Sequence, residues 1–402
     1  MISRIFSGMH PELITPWCNA SPAPDRCLLE LVWADLEGEG EAYVYQQMGH
    51  RHSIFCILPP YVLRRIARTG TEEQRQAALE TLAVDTTFRT LRAIRLAAPV
   101  ATTTPAMAVP SAEVVSEEAK QLQRTIFSCQ NRRRLPGDVV RSEGGPATGD
   151  PAVDEAYDGL GATYNFYWEV LRRNSIDDQG MPLNGHVHYG RRYNNAFWDG
   201  QRMVFGDGDG VLTNRFTISV DIMGHELTHA VTEKEAQLIY YAQSGALNES
   251  VSDVYGSLVK QYTRGKEAAE DADWLIGEGL FTEEVNGVAL RSMKEPGTAF
   301  EGDEQPGHMR DYVNTMEDDG GVHINSGIPN KAFYLAASEI GGYAGEKAGP
   351  IWYATLRDPR LKPNASFVQF ARLTVVNAEI LFPGGREERI VRNAWRQVGI
   401  NV

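Results

Sequence analysis

The stretch from 221 to 253 reads DIMGHELTHAVTEKEAQLIYYAQSGALNESVSD and sets two histidines, His225 and His229, four residues apart with Glu226 between them. On a helix that spacing projects both imidazoles from one face, close enough to share an ion. Glu226 is rotated about 100° from the first ligand. It is poorly placed as a third ligand, but it can hold a water beside the metal and take its proton. A catalytic zinc usually has three protein ligands and one open position. Glu249 follows His229 after a turn containing Gly245, on what reads as a second helix, and Asp253 shares its face one turn on. One carboxylate can complete the ligand set while the other accepts the outer N–H of a ligand histidine. The plainer reading of Glu249 and Asp253 is a solvated acidic face.

These residues need elements to hold them. Before Asp221 the body, which begins near Val114, mixes short apolar runs with Gly, Asn and Asp turns. Gly185–Tyr189, Arg202–Phe205 and Phe216–Val220 suit strands, and Gly206–Gly210 a turn. After Asp221 helical periodicity dominates: Ala332, Leu335 and Ala336 share a face, and Val391, Ala394 and Val398 form a stripe. Strands first and helices second give an α+β class. Upstream, Tyr61–Arg68, Glu72–Val84 and Thr87–Leu96 read as helices. Residues 97–112 form an Ala/Thr/Pro linker open to proteolysis.

The chain has 402 residues and a net charge of −14. Residues 50–95 carry eight arginines, no lysine and four acidic residues, so that stretch is +4 and the remainder −18. An acidic surface repels nucleic acid, while a basic segment on an acidic body suggests that the two dock. Of the four cysteines, Cys18, Cys27 and Cys56 precede the body and Cys129 alone lies in it, so the body cannot staple itself with a disulfide. No run reaches the ~20 apolar residues that span a bilayer. The N-terminus shows no recognisable signal peptide.

The blocks Asn195-Ala196-Phe197-Trp198, Gly206–Gly210, His225–His229, Asn248-Glu249 through Ser252-Asp253, Leu290–Met293 and Gly320–Gly327 occur in one order that resembles the thermolysin family of neutral metallopeptidases, from about Thr125 to the end. The resemblance implies a two-lobed fold: a strand-rich N-terminal lobe (114–231), a mainly α-helical C-terminal lobe (232–402), and a cleft between them with the zinc-binding helix at the junction. It implies a zinc endopeptidase with His225, His229 and Glu249 as ligands, Glu226 as base, and Asp253 orienting His225. Tyr240 and His323 would stabilise the oxyanion, Asp318 would orient and charge His323, and Asn195, Ala196 and Arg291 would bind substrate main chain. Phe216, Ile222, Ile276, Leu280 and Leu290 match the family's apolar pocket, which implies cleavage on the amino side of bulky hydrophobic residues. Asp221, Asp273 and Glu278 match calcium ligands. Lys260 stands where the family has a glutamate and Val288 where it has an aspartate, so one structural calcium at most is expected.

His52–Arg65, HSIFCILPPYVLRR, resembles the short prosegment of the protealysin-like subgroup. That implies a propeptide at 48–96 acting as an intramolecular inhibitor, a processing region at 97–113 open to cutting by the enzyme itself, and an unassigned extension at 1–47. Cys56 lies in an apolar run. A buried, inert thiol is the plain reading and a thiolate cap on the zinc the sharper one. The family expectation is a secreted monomer acting on proteins and peptides.

Overall fold

A computed structural model describes residues 55–97 and 120–402. The extension at 1–47 with Cys18 and Cys27, and the linker beyond residue 97, lie outside the described residues.

The prosegment contributes β1 (Phe55–Cys56), α1 (Pro60–Thr69) and α2 (Glu72–Ala97). Proline at the first position of α1 needs no N–H there, so Pro59-Pro60 ends the strand and starts the helix. The two helices expected between 72 and 96 are one, since no residue in Thr86-Thr87 breaks the ladder and both hydroxyls bond back to carbonyls four residues earlier.

The body opens with β2 (Arg124–Arg132), β3 (Asp138–Ser142), α3 (Pro151–Leu171), β4 (Leu183–Tyr189), β5 (Ala196–Trp198) and β6 (Met203–Phe205). Helix α3 interrupts a stretch that reads as strands and turns. Asp150 caps it, accepting from Ala152 and Val153 N–H, and Pro151 begins it. The strands form a six-stranded mixed sheet in the order β1-β5-β6-β4-β2-β3. The outermost strand on one side is thus the prosegment's β1, antiparallel to β5 with Cys56 opposite Phe197. Gly206–Gly210, expected as a turn, is irregular backbone with a bend at Gly210, and Asp209 Oδ1 accepts from the N–H groups of Val211, Leu212 and Thr213 that follow it. Phe216–Val220, expected as a strand, is a turn. Phe216 N–H bonds to Gly206 O, the Thr217 hydroxyl to Glu155, and Val220 already opens the next helix.

That helix is α4 (Val220–Glu235). It is followed by α5 (Ala242–Thr263), the short pair β7 (Leu275–Ile276) and β8 (Arg291–Ser292), and then α6 (Asp318–Asn325), α7 (Gly327–Ile340), α8 (Ala348–Leu356), α9 (Phe367–Leu381) and α10 (Glu387–Gln397). Ala332, Phe333, Ala336, Ala337 and Ile340 bury α7. Val391, Ala394 and Trp395 bury α10 against α7 and α9. One apolar core runs from the prosegment's Ile57, Leu58 and Leu63 through both lobes. A second, smaller cluster gathers Cys56, Val84, Cys129, Tyr189, Tyr193, Phe197 and Val204.

Helices α4 and α5 cross with their backbones in contact. A Cβ on Gly256 would lie 2.6 Å from Asp221 O, and one on Gly224 2.9 Å from the Gly256 Cα. Glycine at both positions lets the faces bearing His225 and Glu249 meet. None of the described helices is long and apolar enough to cross a membrane.

Candidate active site

His225 and His229 project from α4 towards Glu249 on α5, all three fully buried. His225 Nδ1 lies 2.8 Å from Asp253 Oδ1, a carboxylate that only accepts, so Nδ1 carries the proton. His229 Nδ1 lies 2.8 Å from Asn248 Oδ1, whose own amide nitrogen donates to Leu238 O, so that ring is fixed the same way. Both Nε2 atoms therefore present lone pairs, and they face each other at 3.0 Å. Glu249 adds oxygens 3.4 Å from each, and its Oε2 is buried without a hydrogen-bond partner. Two lone pairs and a carboxylate converging without a proton between them need a cation. An N2O set of this kind fits zinc with one position left open. Among the described residues it is the one cluster of three or more such ligand atoms within 4.8 Å of one another.

Asp253, which turns His225, is itself gripped by Arg291 through Nε and Nη2 at 2.9 and 2.8 Å, and by Asn330 Nδ2 at 2.8 Å. Burial opposes its charge, but Arg291 and His225 hold the carboxyl well below the usual range. Asn248 and Asn330 received no role from the sequence. Asn248 adjoins Glu249 and was visible in the motif. Asn330 lies 77 residues from Asp253, and only the packing of α7 on α5 brings it in.

Glu226 sits beside the ligands with Oε2 accepting from Trp198 N–H at 3.1 Å and Oε1 buried without a hydrogen-bond partner. Burial, then the Glu249 charge, pushes its carboxyl well up from the usual carboxylate range.

His323 is set by a left-handed kink. Asp319, Gly320 and Gly321 have φ of 51°, 82° and 76°, which folds Asp318 back over the start of the following turn. Its Oδ2 accepts from His323 N–H at 2.8 Å and its Oδ1 lies 2.6 Å from His323 Nδ1. Burial would lower the His323 pKa, but Asp318 and Glu249 outweigh it and raise it to about 9. A doubly protonated ring leaves Nε2 as a donor, 3.2 Å from the Tyr240 hydroxyl. That hydroxyl donates to Glu249 Oε1.

The prosegment main chain crosses this site. His323 Nε2 donates to Cys56 O at 3.2 Å, and Ile57 N–H to Ala196 O at 3.3 Å. Arg291 Nη1 donates to Ile57 O at 3.0 Å, and Leu58 N–H to Asn195 Oδ1 at 3.0 Å. Asn195 Nδ2 also reaches Leu58 O at 3.4 Å and Asp85 Oδ2 on α2 at 2.9 Å. Asn195, Ala196, Arg291 and His323, scattered over 128 positions, thus meet on three consecutive residues. The Cys56 side chain packs in the smaller apolar cluster and is not part of the ligand set, so its carbonyl rather than its thiol faces the site. Phe216, Ile222, Ile276, Leu280 and Leu290 are all at most 1% exposed and share one apolar cluster with Ile57.

The carboxylates expected to hold calcium lie beside cations. Lys260 Nζ lies 3.1 Å from Asp221 and 2.8 Å from Asp273, while Arg264 bridges Asp273 and Glu278 at 2.7 and 3.2 Å. The ammonium and guanidinium set positive charge against these carboxylates, and an ammonium cannot itself coordinate calcium.

Two helices offering two imidazoles and a carboxylate, a buried glutamate beside them, and a sheet edge that binds main chain define a metallopeptidase site between a β-rich and a helical lobe. The comparisons with known proteins place it. The family profile "Thermolysin metallopeptidase, catalytic domain" matches residues 113–233, "Thermolysin metallopeptidase, alpha-helical domain" residues 236–400, and "Protealysin propeptide" residues 56–83. An "Extracellular metalloprotease" of Pectobacterium carotovorum subsp. carotovorum is 51% identical over 354 residues, covering 87% of this chain and 97% of the relative. "Protease PrtS" of a Photorhabdus species is 48% identical over 353 residues, covering 86% and 92%. Among solved structures, the "Precursor of Protealysin, Metalloproteinase from Serratia proteamaculans" superposes with a TM-score of 0.75 at 52% identity, covering 86% of this chain and 99% of that one. The chain belongs to the thermolysin family of zinc metallopeptidases and carries a protealysin-type propeptide.

Proposed function

We propose that the protein is a latent endopeptidase that cleaves internal peptide bonds on the amino side of bulky hydrophobic residues. The observation that carries this is the set of main-chain hydrogen bonds from Asn195, Ala196, Arg291 and His323 to residues 56–58, which treats the prosegment as a peptide lying in a substrate site.

His225, His229 and Glu249 would hold one zinc ion, which when bound polarises a carbonyl and brings the pKa of a water to about 7. Glu226 takes a proton from the attacking water and delivers it to the departing amine. Asn195, Ala196 and Arg291 align the chain on both sides of the bond. His323, kept charged by Asp318, donates to the oxygen that becomes negative, and Tyr240 turns its hydroxyl to the same charge. Such preset donors contribute about 3 kcal/mol each in comparable sites. The apolar wall of Phe216, Ile222, Ile276, Leu280 and Leu290 receives the side chain after the cut bond. The prosegment at 48–96 inhibits by covering these groups, and the linker at 97–113 is where it is severed. Relatives named extracellular support secretion of the enzyme, which we take to act as a monomer on proteins and peptides.

Specificity tests the reading. Of two end-blocked peptides differing only in Leu or Asp after the central bond, the Leu peptide is expected to be cut at least about a hundredfold faster, since a buried carboxylate in an apolar pocket is heavily penalised. Equal rates would refute the pocket assignment.

A further inference from the structure

The hydrogen bonds to the prosegment follow one another in chain order. Cys56 O meets His323, Ile57 N–H meets Ala196 O, Ile57 O meets Arg291, and Leu58 N–H meets Asn195. They span two consecutive peptide bonds, and of these Cys56–Ile57 is the one with its carbonyl on the donor histidine and its nitrogen beside the sheet edge. A segment that merely plugged the site could lie in either direction. This one runs antiparallel to β5, in the one direction that lets all four groups engage consecutive atoms of the chain.

We propose that the Cys56–Ile57 peptide bond is held as a substrate bond and is the enzyme's own first cleavage site, the cut chain remaining docked. The proposal rests on the peptidase reading above and extends it to a named bond outside the linker. In the reaction the water oxygen joins the Cys56 carbonyl carbon and Glu226 takes one water proton. The C–N bond breaks as that proton passes to the Ile57 nitrogen, leaving a carboxyl group at Cys56 and an amine at Ile57.

Both new ends stay anchored. On one side Phe55 and Cys56 remain paired with Trp198 and Phe197. On the other, Pro60–Leu63 are buried and Arg65 donates to Gly302 O at 3.2 Å. Ends held in register recombine as an intramolecular reaction, so cut and intact chains coexist and the site stays covered. Latency then survives the first cut, and release awaits cleavage elsewhere or loosening of α2.

The test uses the full chain, loaded with zinc and incubated in heavy-oxygen water, then denatured and read by mass spectrometry. Fragments 1–56 and 57–402 are expected, together with heavy oxygen at Cys56 in the chain that remains or becomes joined. The fragments should co-elute with intact chain before denaturation, and the Glu226→Gln chain should show neither cut nor label. Absence of both the cut and the label at Cys56 overturns the proposal. An end-blocked internal peptide in the same incubation shows whether the peptidase reading falls with it: if the peptide is hydrolysed, that reading stands. A second measurement needs no catalysis. In the metal-free full chain the Ile57 and Leu58 amides should exchange at least about a hundredfold more slowly than in an unstructured peptide. Free exchange there would remove the clamp on which the proposal depends.

Discussion

The outer nitrogens of His225 and His229 decide what the inner ones do. Asp253 and Asn248 each accept a hydrogen bond from a ring Nδ1–H, which leaves two bare Nε2 atoms 3.0 Å apart and a carboxylate close by. Asp253→Ala should therefore weaken zinc binding by about 10–100-fold, read by competition with a chelator, because the His225 tautomer is no longer fixed and Arg291 loses its partner. Glu226→Gln should lower kcat by about 10²–10⁴-fold with zinc binding retained. The histidine pair was legible from spacing, and the family resemblance singled out Glu249 as the third member of the cluster, since one helix turn and one following helix connect them. Asn330 and the Trp198 N–H were not legible, because their roles arise only where distant segments pack. Away from the site, His188 is flanked by Asp207 at 2.9 Å and Asp150 at 3.0 Å, and first Asp207, against burial, then Asp150 raise its pKa from 6.5 to about 9. A raised histidine pKa stabilises the fold fully below 6.5, and that contribution is lost as pH rises through about 9. His188 also has φ of 53°, which asparagine tolerates. Denaturation of His188→Asn should show a flatter decline in stability across that window than the natural chain, and an unchanged slope would contradict the assignment.

At the scale of elements, the crossing of α4 and α5 brings the ligands together, and two glycines permit it. A methyl group at Gly256 meets backbone rather than a movable side chain. Gly256→Ala should cost about 1–3 kcal/mol of stability and reduce zinc affinity by parting Glu249 from the imidazoles. Retained zinc affinity would show that the crossing is looser than described. Docking of α2 depends on Asp85, buried and accepting from the Tyr193 hydroxyl at 2.5 Å and from Asn195 Nδ2 at 2.9 Å. Asp85→Ala leaves the Tyr193 hydroxyl without this acceptor and Asn195 Nδ2 with only its longer contact to Leu58 O, at a cost of about 1–3 kcal/mol. It should speed loss of the prosegment in a processing time course. Helical periodicity made the C-terminal lobe readable. Helix α3 was not, because Gly159, Gly161 and a run of aromatic residues dilute its pattern while it is buried on most sides. Phe216–Val220 misled for the converse reason: it is apolar because it is buried, while its polar groups are satisfied as a turn.

For the whole molecule, the charge imbalance between residues 50–95 and the remainder has a local counterpart. Arg75 pairs within its own helix, whereas Arg65 reaches Gly302 O, and the pairs between α2 and the body, Arg192–Glu73 and Arg133–Glu80, run the other way, from body cation to prosegment acid. Among the described residues, docking therefore rests on β1, the apolar core and the buried hydrogen bonds more than on ion pairs, which the sequence alone could not separate. Lys260 and Arg264 pair with the carboxylates that the family resemblance assigned to calcium, so metal analysis of the purified chain should find one zinc and no more than one calcium; two calcium ions would contradict that account. The central claim is that one zinc-dependent site with Glu226 as its base cleaves inside a peptide. An internally labelled peptide with both ends blocked, given to the processed enzyme, should be cut in the middle, lose that cleavage to a zinc chelator, regain it when zinc is restored, and remain intact with Glu226→Ala. Cleavage that persists without zinc or in the Glu226→Ala enzyme, or activity confined to free peptide ends, would contradict it.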